Sequence, residues 1–472
     1  MAGMESDQAA RIWAWEEYGQ LEVGDARRRD RVVKMASKLA GSAAGRVSEA
    51  FADRAERQGA YDLLEGGKVR AEALGHAAAC ATVQRSCGED VVFVPIDGTS
   101  IHIVDRQRTT DLGLVGTYSN NARGLNVVSA LSVSTDGTSL GICAQKWWVR
   151  PTKRGKRCPS KYRPVAERES RFTVQTIEDV ARAYAGSGTR PWVLVDRAGD
   201  ATVVLDELIQ RQILFTVRAS WNRRISRNGG LAKVRDWLHT TKVRLRDELP
   251  VPEGHKRPAR LAKLDVRVGR VELDVRHDWR ARRQNPTVNV VWVLEPRAPH
   301  GSKQLDWMLY TNAPVDTDEQ IQAVINSYAT RWRIEDFHKT WKSGYCGVEE
   351  TRLRSAEASK TWATLLATVA ARIERLKHLA RTEPQKPASV ELSKIEIEAI
   401  KLLKLRQKSR VEEIPDGMPS IALVVRWLAD LGGYSGNSNA GPPGSITIGR
   451  GMAKLATAVE ILEAIHESQK MR

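Results

Sequence analysis

The chain has 472 residues, a formal net charge of +17 from 74 Lys+Arg against 57 Asp+Glu, and a hydrophobic fraction of 42%. That length carries two or three domains and a large core, and the ordinary apolar content excludes wholesale disorder. The basic excess points to a polyanionic partner, with nucleic acid the first candidate, through phosphate neutralisation and counterion release. Five cysteines (Cys80, Cys87, Cys143, Cys158 and Cys346) are scattered without a CxxC pair, which excludes a disulfide framework and a structural zinc site. The N-terminus lacks the basic and apolar regions of a secretory signal, and the longest nearly apolar run, "WATLLATVAA" at 362–371, is too short to span a bilayer. A cytoplasmic protein with no membrane partner is the expectation.

Residues 10–80 read as helices. In "DARRRDRVVKMASKLAGSA", Val32, Val33 and Leu39 are apolar while Arg27, Arg28, Arg29 and Arg31 crowd the start. Arginines at a helix N-terminus oppose the macrodipole, so phosphate is the simplest reason for them; a solvated charge run is the alternative. From residue 91 the period changes to that of strands. "VVFVPIDGTSIHIV" and the two runs around "TDGTS" predict an antiparallel meander of about three strands over 91–151. The basic, proline-bearing stretch 150–171 reads as a loop and 172–185 as a helix. "PWVLVD" is a buried strand ending at Asp196, and 212–220 is strand-like, ending at Arg218. Residues 260–295 alternate as a separate antiparallel piece, and 305–312 is one more strand. After residue 318 the chain reads as helical, with a linker at 377–393 and a loop at 431–445. Met452, Leu455, Val459 and Leu462 follow 3-4-3 spacing, an apolar seam fit for a partner helix.

Two strands therefore end in aspartate, Asp97 and Asp196. Each alone also fits a turn or cap. The segment "YATRWRIEDFHKTWKSG" (328–344) adds a third carboxylate. Taken as one helix at about 100° per residue, it places Tyr328, Arg331, Glu335, His338, Lys339 and Lys342 on one arc. Ile334, Phe337 and Trp341 share a different arc. The rings anchor the helix and the charges are left to point outward. Asp97, Asp196 and Glu335 together offer oxygen ligands to two divalent cations, Mg²⁺ foremost with Mn²⁺ as the alternative. Two such ions assist an in-line displacement at phosphorus.

The spacing Tyr328-x2-Arg331-x3-Glu335-x6-Lys342 resembles the Y-R-E-K signature of bacterial cut-and-paste DDE transposases, the insertion-sequence-four group that includes the transposase of transposon five. "IDGTS" (96–100) resembles the first-aspartate motif of that group. "VDRAGD" (195–200) resembles the second, usually DREAD, with its middle residues altered to Ala198 and Gly199. "VGDARRRDR" (23–31), "GAYDLL" (59–64) and "KWWVRP" (146–151) fit as well, so the resemblance runs in order along most of the chain.

The resemblance implies an α/β fold with a ribonuclease-H-like catalytic core and an antiparallel β-domain inserted at about 222–304. It also implies a helical DNA-binding domain (1–70), a catalytic domain (71–376) and a helical dimerisation domain (377–472). By the same carry-over, Asp97, Asp196 and Glu335 bind the metals. Arg27, Arg28, Arg31 and Arg218 contact transposon-end DNA. Tyr328, Arg331, Lys339 and Lys342 hold the cleaved end, with His338 on the same stripe. Trp307 stacks a flipped base, or else is a core strand residue. Double-stranded DNA and a second copy of the chain are the implied partners, the copies pairing through the seam at 452–462. The implied activity is strand cleavage through a hairpin, followed by joining of the 3′-OH ends to target DNA. A catalytically silent DNA-binding regulator and a nuclease without strand joining are the rival readings.

Overall fold

The computed structural model describes residues 9–105, 111–116, 122–151, 163–227, 230–251, 259–275, 285–406, 414–436 and 441–470. Most of the basic loop expected at 150–171, and residues 437–440 of the loop expected at 431–445, lie outside the described residues.

Helices α1 (Ala9–Tyr18), α2 (Ala26–Gly41), α3 (Val47–Ala50), α4 (Arg54–Glu65) and α5 (Ala71–Arg85) open the chain. Strands β1 (Val91–His102), β2 (Gly113–Leu114), β3 (Arg123–Val133) and β4 (Ser139–Trp148) follow. Then come α6 (Ser170–Tyr184), β5 (Arg190–Val195), α7 (Thr202–Gln210) and β6 (Leu214–Arg218). The next stretch holds β7 (Arg224–Arg227), β8 (Gly230–Lys233), α8 (Val234–His239), β9 (Leu245–Val251), β10 (Arg260–Leu273), β11 (Thr287–Leu294) and β12 (Asp306–Thr311). Helices α9 (Asp318–Thr330), α10 (Arg333–Lys342), α11 (Ala356–Thr382), α12 (Lys394–Arg406), α13 (Ile421–Leu431) and α14 (Ser445–Lys470) complete the chain.

These elements form two compact units that do not follow chain order. One comprises residues 1–87, 98–153 and 333–472, the other residues 88–97 and 154–332. The boundary runs through β1, directly after Asp97.

In the first unit α11 is the hub. Its 27 residues are buried on nearly every side, including Trp362, Leu365, Leu366, Val369, Ile373 and Leu376. Its buried residues also include Arg372, Glu374, Lys377 and His378, so the core around it holds polar groups as well. The run 362–371 is the middle of this helix, and the helix continues through residue 382. The linker expected at 377–393 is therefore helical in its first part, because Leu376 and Leu379 still face a core built with α12, α13 and α14. Met452, Leu455 and Val459 are buried in that same core. Their 3-4-3 spacing is satisfied within the chain, which corrects the expectation that they face a second copy.

In the second unit the first half of β1 pairs in parallel with β5, from Val91↔Arg190 to Ile96↔Val195, and β5 pairs in parallel with β6. The second half of β1 and the hairpin β3–β4 belong to the first unit, where β3 lies beside β1. The order β4-β3-β1 joined to β1-β5-β6 is that of a ribonuclease-H-like core. Beyond β6 the sheet continues antiparallel through β12, β11 and β10, with β7 and β9 on β10 and β8 on β7. The insertion between β6 and β12 is thus an extension of the core sheet, rather than the separate piece read from the sequence. Hydrogen bonds along β6, β12 and β11 carry the ladder straight into it.

The segment 328–344 is not one helix. Helix α9 begins at a capping box between Thr317 and Gln320 and ends at Thr330. The Arg331 amide then bonds back to the Tyr328 carbonyl at 3.1 Å, an i→i+3 closure that ends the α ladder. Helix α10 restarts at Arg333, and the unit boundary falls between Trp332 and Arg333.

Candidate active site

Parallel register decides the first two carboxylates. Because Ile96 stands opposite Val195, the next residues, Asp97 and Asp196, follow side by side, about 4.8 Å apart at strand spacing and on the same face. Asp196 directly follows the end of β5, but β1 runs on to His102, so Asp97 lies within its strand and not at the strand end expected from the sequence. Both are half-buried. Asp196 also caps the turn that follows it, its Oδ1 accepting the Ala198 amide at 2.8 Å and the Gly199 amide at 3.2 Å. That turn is a short 3-10 helix, Arg197–Gly199. A Cβ on Gly199 would stand 2.0 Å from Val195 Cγ1, so the turn has room only for glycine there. The departure from the DREAD pattern is thus matched by the packing beside Asp196.

Asp200, at the end of the same motif, is buried and paired with Arg223 at 2.6 Å. Its other oxygen accepts the Ser220 amide at 2.7 Å. It ties the segment after β5 to the segment after β6, a positioning role that the motif contained but the sequence reading left unassigned.

Arg218 ends β6 and donates to the Asp306 carbonyl at 2.9 Å. Its guanidinium and that of Arg331 each lie 6.0 Å from the Tyr328 ring centroid. Trp307 meets Tyr328 edge-on at 5.2 Å. Burial pushes the Tyr328 hydroxyl up, Arg218 and Arg331 oppose it, and the charge of Asp196 acts in the same direction as burial. Tyr328, Trp307 and Arg331 are all buried, at 2%, 7% and 6% exposure. Trp307 is therefore packed as a core strand residue. The aromatic surface that this unit presents is instead on Trp221 and Trp332, exposed at 69% and 56%. Both stand beside cationic or motif residues, Trp332 5.3 Å under the Arg331 guanidinium. The position of Trp332 inside the Y-R-E-K segment was the signal that pointed to it.

Glu335 lies in the first turn of α10, in the first unit. The buried face of α10 carries Ile334, Phe337 and Trp341, with Phe337 stacked on Trp341 at 5.5 Å and Trp147 edge-on to Trp341 at 5.8 Å. At the far end of the helix, Lys342 donates to Thr99 Oγ1 at 3.3 Å and pairs with Glu349 at 3.5 Å. Thr99 is two residues beyond Asp97 in β1. Lys339 is exposed, as expected of a DNA contact. His338 is buried at 7% exposure against Phe337 and Trp341, so it belongs to the packed side of the helix rather than to an outward stripe. The ideal wheel placed it at the stripe's edge, and burial of the neighbouring rings draws it inward.

In the N-terminal helices, Asp25 caps α2 by accepting the Arg27 amide at 2.9 Å. That carboxylate offsets the arginines at the helix start. Arg27 and Arg31 are exposed, Arg28 is half-buried, and Arg29 is taken up by Asp30 at 2.9 Å and by the Trp15 ring at 5.4 Å.

Asp97 and Asp196, side by side in the second unit, offer carboxylate oxygens, the chemistry that suits Mg²⁺ or Mn²⁺. A second group of potential ligands, Asp336, Glu374 and His378, lies within the first unit with ligand atoms within 4.8 Å of one another. There the Lys377 ammonium contacts Glu374 directly and lies 3.5 Å from Asp336. Thr340 and Ser445 each donate to Glu374 at 2.5 Å. Burial and the charges of Arg333, Lys377 and Arg381 keep His378 neutral. A lysine already supplies the cation in this cluster, which braces α10 on α11.

A ribonuclease-H-like core with two aspartates side by side on neighbouring parallel strands is the frame of a phosphoryl-transfer enzyme acting on nucleic acid. Comparison with protein families specifies it. Residues 10–69 match the transposase DNA-binding family, residues 166–371 the transposase DDE domain, and residues 368–468 the transposase Tn5 dimerisation domain. The chain is a DDE transposase, an enzyme that binds DNA, dimerises and uses divalent metal. It belongs to the Tn5-like members of the insertion-sequence-four group. Among the described residues no helix is long and apolar enough to cross a membrane.

Proposed function

We propose that the protein excises and reinserts a DNA element whose ends it recognises as inverted repeats, and that Asp97, Asp196 and Glu335 form one metal-binding set serving every chemical step. The observation that carries this reading is the β1–β5 register, which sets Asp97 beside Asp196 at the mouth of a parallel sheet edge. Two Mg²⁺ ions held there would neutralise developing charge on the phosphate oxygens and supply a more acidic water at neutral pH. Water cleaves the end to free a 3′-OH. That hydroxyl attacks the opposite strand to close a hairpin, water reopens it, and the same hydroxyl joins target DNA.

The chain's own groups position these steps. Arg27, Arg28 and Arg31 fit contacts to end DNA. Arg218, Tyr328, Arg331, Lys339 and Lys342 fit the cleaved end. Stacking of a flipped base is assigned first to the exposed Trp332 and Trp221, and to Trp307 only if its ring leaves the core. The division at 1–70, 71–376 and 377–472 follows the same reading, as does a cytoplasmic, nucleoid-associated location. The dimer contact is assigned to the outward side of α12 and α14, where Leu402, Leu405, Ile461 and Ile465 are exposed. His466 of α14 lies 3.9 Å from Glu398 of α12, which sets the two helices side by side.

The test is excision and integration of a reporter flanked by DNA from either side of the native gene, in Mg²⁺. Wild type should yield hairpin-ended product and new insertions, and Glu335→Ala neither. End binding without cleavage by wild type would favour the silent regulator.

A further inference from the structure

We propose that a cavity in the first unit, walled by α1, α5, α11 and the start of α12, is a binding site for a small phosphate-bearing anion. The cavity has a volume of about 550 Å³. That falls within the range of small-molecule sites, roughly 300–1,000 Å³. Asp97, Asp196 and Glu335 are not among its lining residues.

Three arginines line it. Arg85 is matched by Glu17 at 2.5 Å and by the Leu140 carbonyl at 2.7 Å. Arg375 is matched by Glu391 at 2.6 Å. Arg372 is different. It is 3% exposed, and among the described residues its Nε, Nη1 and Nη2 all lack a hydrogen-bond partner. Its guanidinium lies 5.3 Å from the Trp13 ring centroid. A ring face accepts the charge but leaves the N–H groups unsatisfied, and a buried cation without an acceptor is strongly disfavoured. The guanidinium fork has the geometry for a tetrahedral oxyanion.

A second feature points the same way. Residues 389–394 border the cavity and end at Lys394, the first residue of α12, whose N-terminus is already capped by Ser393 and Glu396. Lys394 adds an exposed ammonium at that rim. Of the carboxylates in the lining, Glu391 is paired with Arg375, Glu17 meets Arg85 through Oε1 only, and Glu16 is exposed. The uncompensated charge is positive. The convergence of an unpartnered guanidinium and an ammonium suits a multi-oxygen phosphate better than a single carboxylate.

The experiment uses the full chain without DNA, titrated with pyrophosphate at constant ionic strength, with chloride as reference, and followed by thermal unfolding. The expected result is a saturable rise in Tm for wild type. At least a tenfold loss of apparent affinity is expected in Arg372→Met and a smaller loss in Lys394→Ala, with transposon-end binding unchanged in both. A response that never saturates, or equal affinity in Arg372→Met and wild type, would overturn the proposal by assigning the effect to the general basic surface. If Arg372→Met does not fold, Lys394→Ala decides, and wild-type affinity in that exposed-site variant overturns the proposal.

Discussion

The two strand-borne aspartates and the helix-borne glutamate are held by different physics. Asp97 and Asp196 are placed by backbone register, in which each hydrogen bond of the β1–β5 ladder repeats the same constraint. Glu335 is placed by side-chain packing. Its helix is set down by Trp341, Phe337 and Ile334, clamped by Lys342 on Thr99, and braced from behind by Glu374 and Lys377. A ladder tolerates the loss of any one side chain. A packed helix depends on a few large ones.

The sharpest way to break the comparison is to neutralise each carboxylate in turn. If all three serve one site, Asp97→Asn, Asp196→Asn and Glu335→Gln each lose cleavage on the order of 10³-fold or more, since metal-assisted charge stabilisation is worth several kcal/mol. A gel assay on end DNA measures this, and a carboxylate whose loss is tolerated leaves the set. Trp341→Ala probes the packed helix alone. Truncating a fully buried Trp typically costs about 3–5 kcal/mol, so the chemical denaturation midpoint should fall markedly while the β1–β5 ladder persists in hydrogen exchange.

The inserted sheet gives a reference independent of both. Glu295 is held below the ordinary carboxylate range, chiefly by its bidentate bonds from Arg260 at 3.0 and 2.8 Å, against the opposing effect of burial. A carboxyl whose folded pKa is depressed contributes stability at pH values above its unfolded value near 4.5, and that contribution is lost as pH falls through the folded value. Urea midpoints should therefore drop on acidification below about pH 4.5, and Glu295→Gln should remove part of that slope.

Gly199→Ala reverses the Trp341 test, since it strains the turn beside Asp196 and leaves α10 untouched. Overpacking of this kind costs about 1–3 kcal/mol, and cleavage should fall more than end binding does. The smallest effect on stability is expected at Trp332→Ala, within about 0.5 kcal/mol because the ring is exposed. If Trp332 stacks an extruded base, hairpin formation should still decline. An unchanged hairpin yield would return that role to Trp307 or Trp221.

Much of the site was legible in the chain itself. The aspartate after "PWVLV" and the arginines before Val32 are local patterns, because burial writes apolar runs into strands and caps write polar residues at their ends, whereas β1 runs past Asp97 to His102. The same local rule misled wherever a long-range contact intervened. Nothing in "YATRWRIED" breaks a helix, for it holds neither glycine nor proline, yet α9 stops at Thr330 as Arg331 is drawn into the core beside Tyr328. The seam at Met452, Leu455 and Val459 was read correctly as apolar, but spacing does not say whose core it faces.

The sequence by itself determined the family and most of the helix and strand types, and it named the three carboxylates proposed as the catalytic set. Those depend on residue identity and near-neighbour periodicity. Only the tertiary structure decided that Trp307, Tyr328 and His338 are buried, that the dimerisation helix packs its seam inward, and that Arg372 is left without an acceptor in a cavity. Each of those depends on which distant segments pack together, and hydrophobic burial rewards any partner of the right shape without recording it in the local sequence.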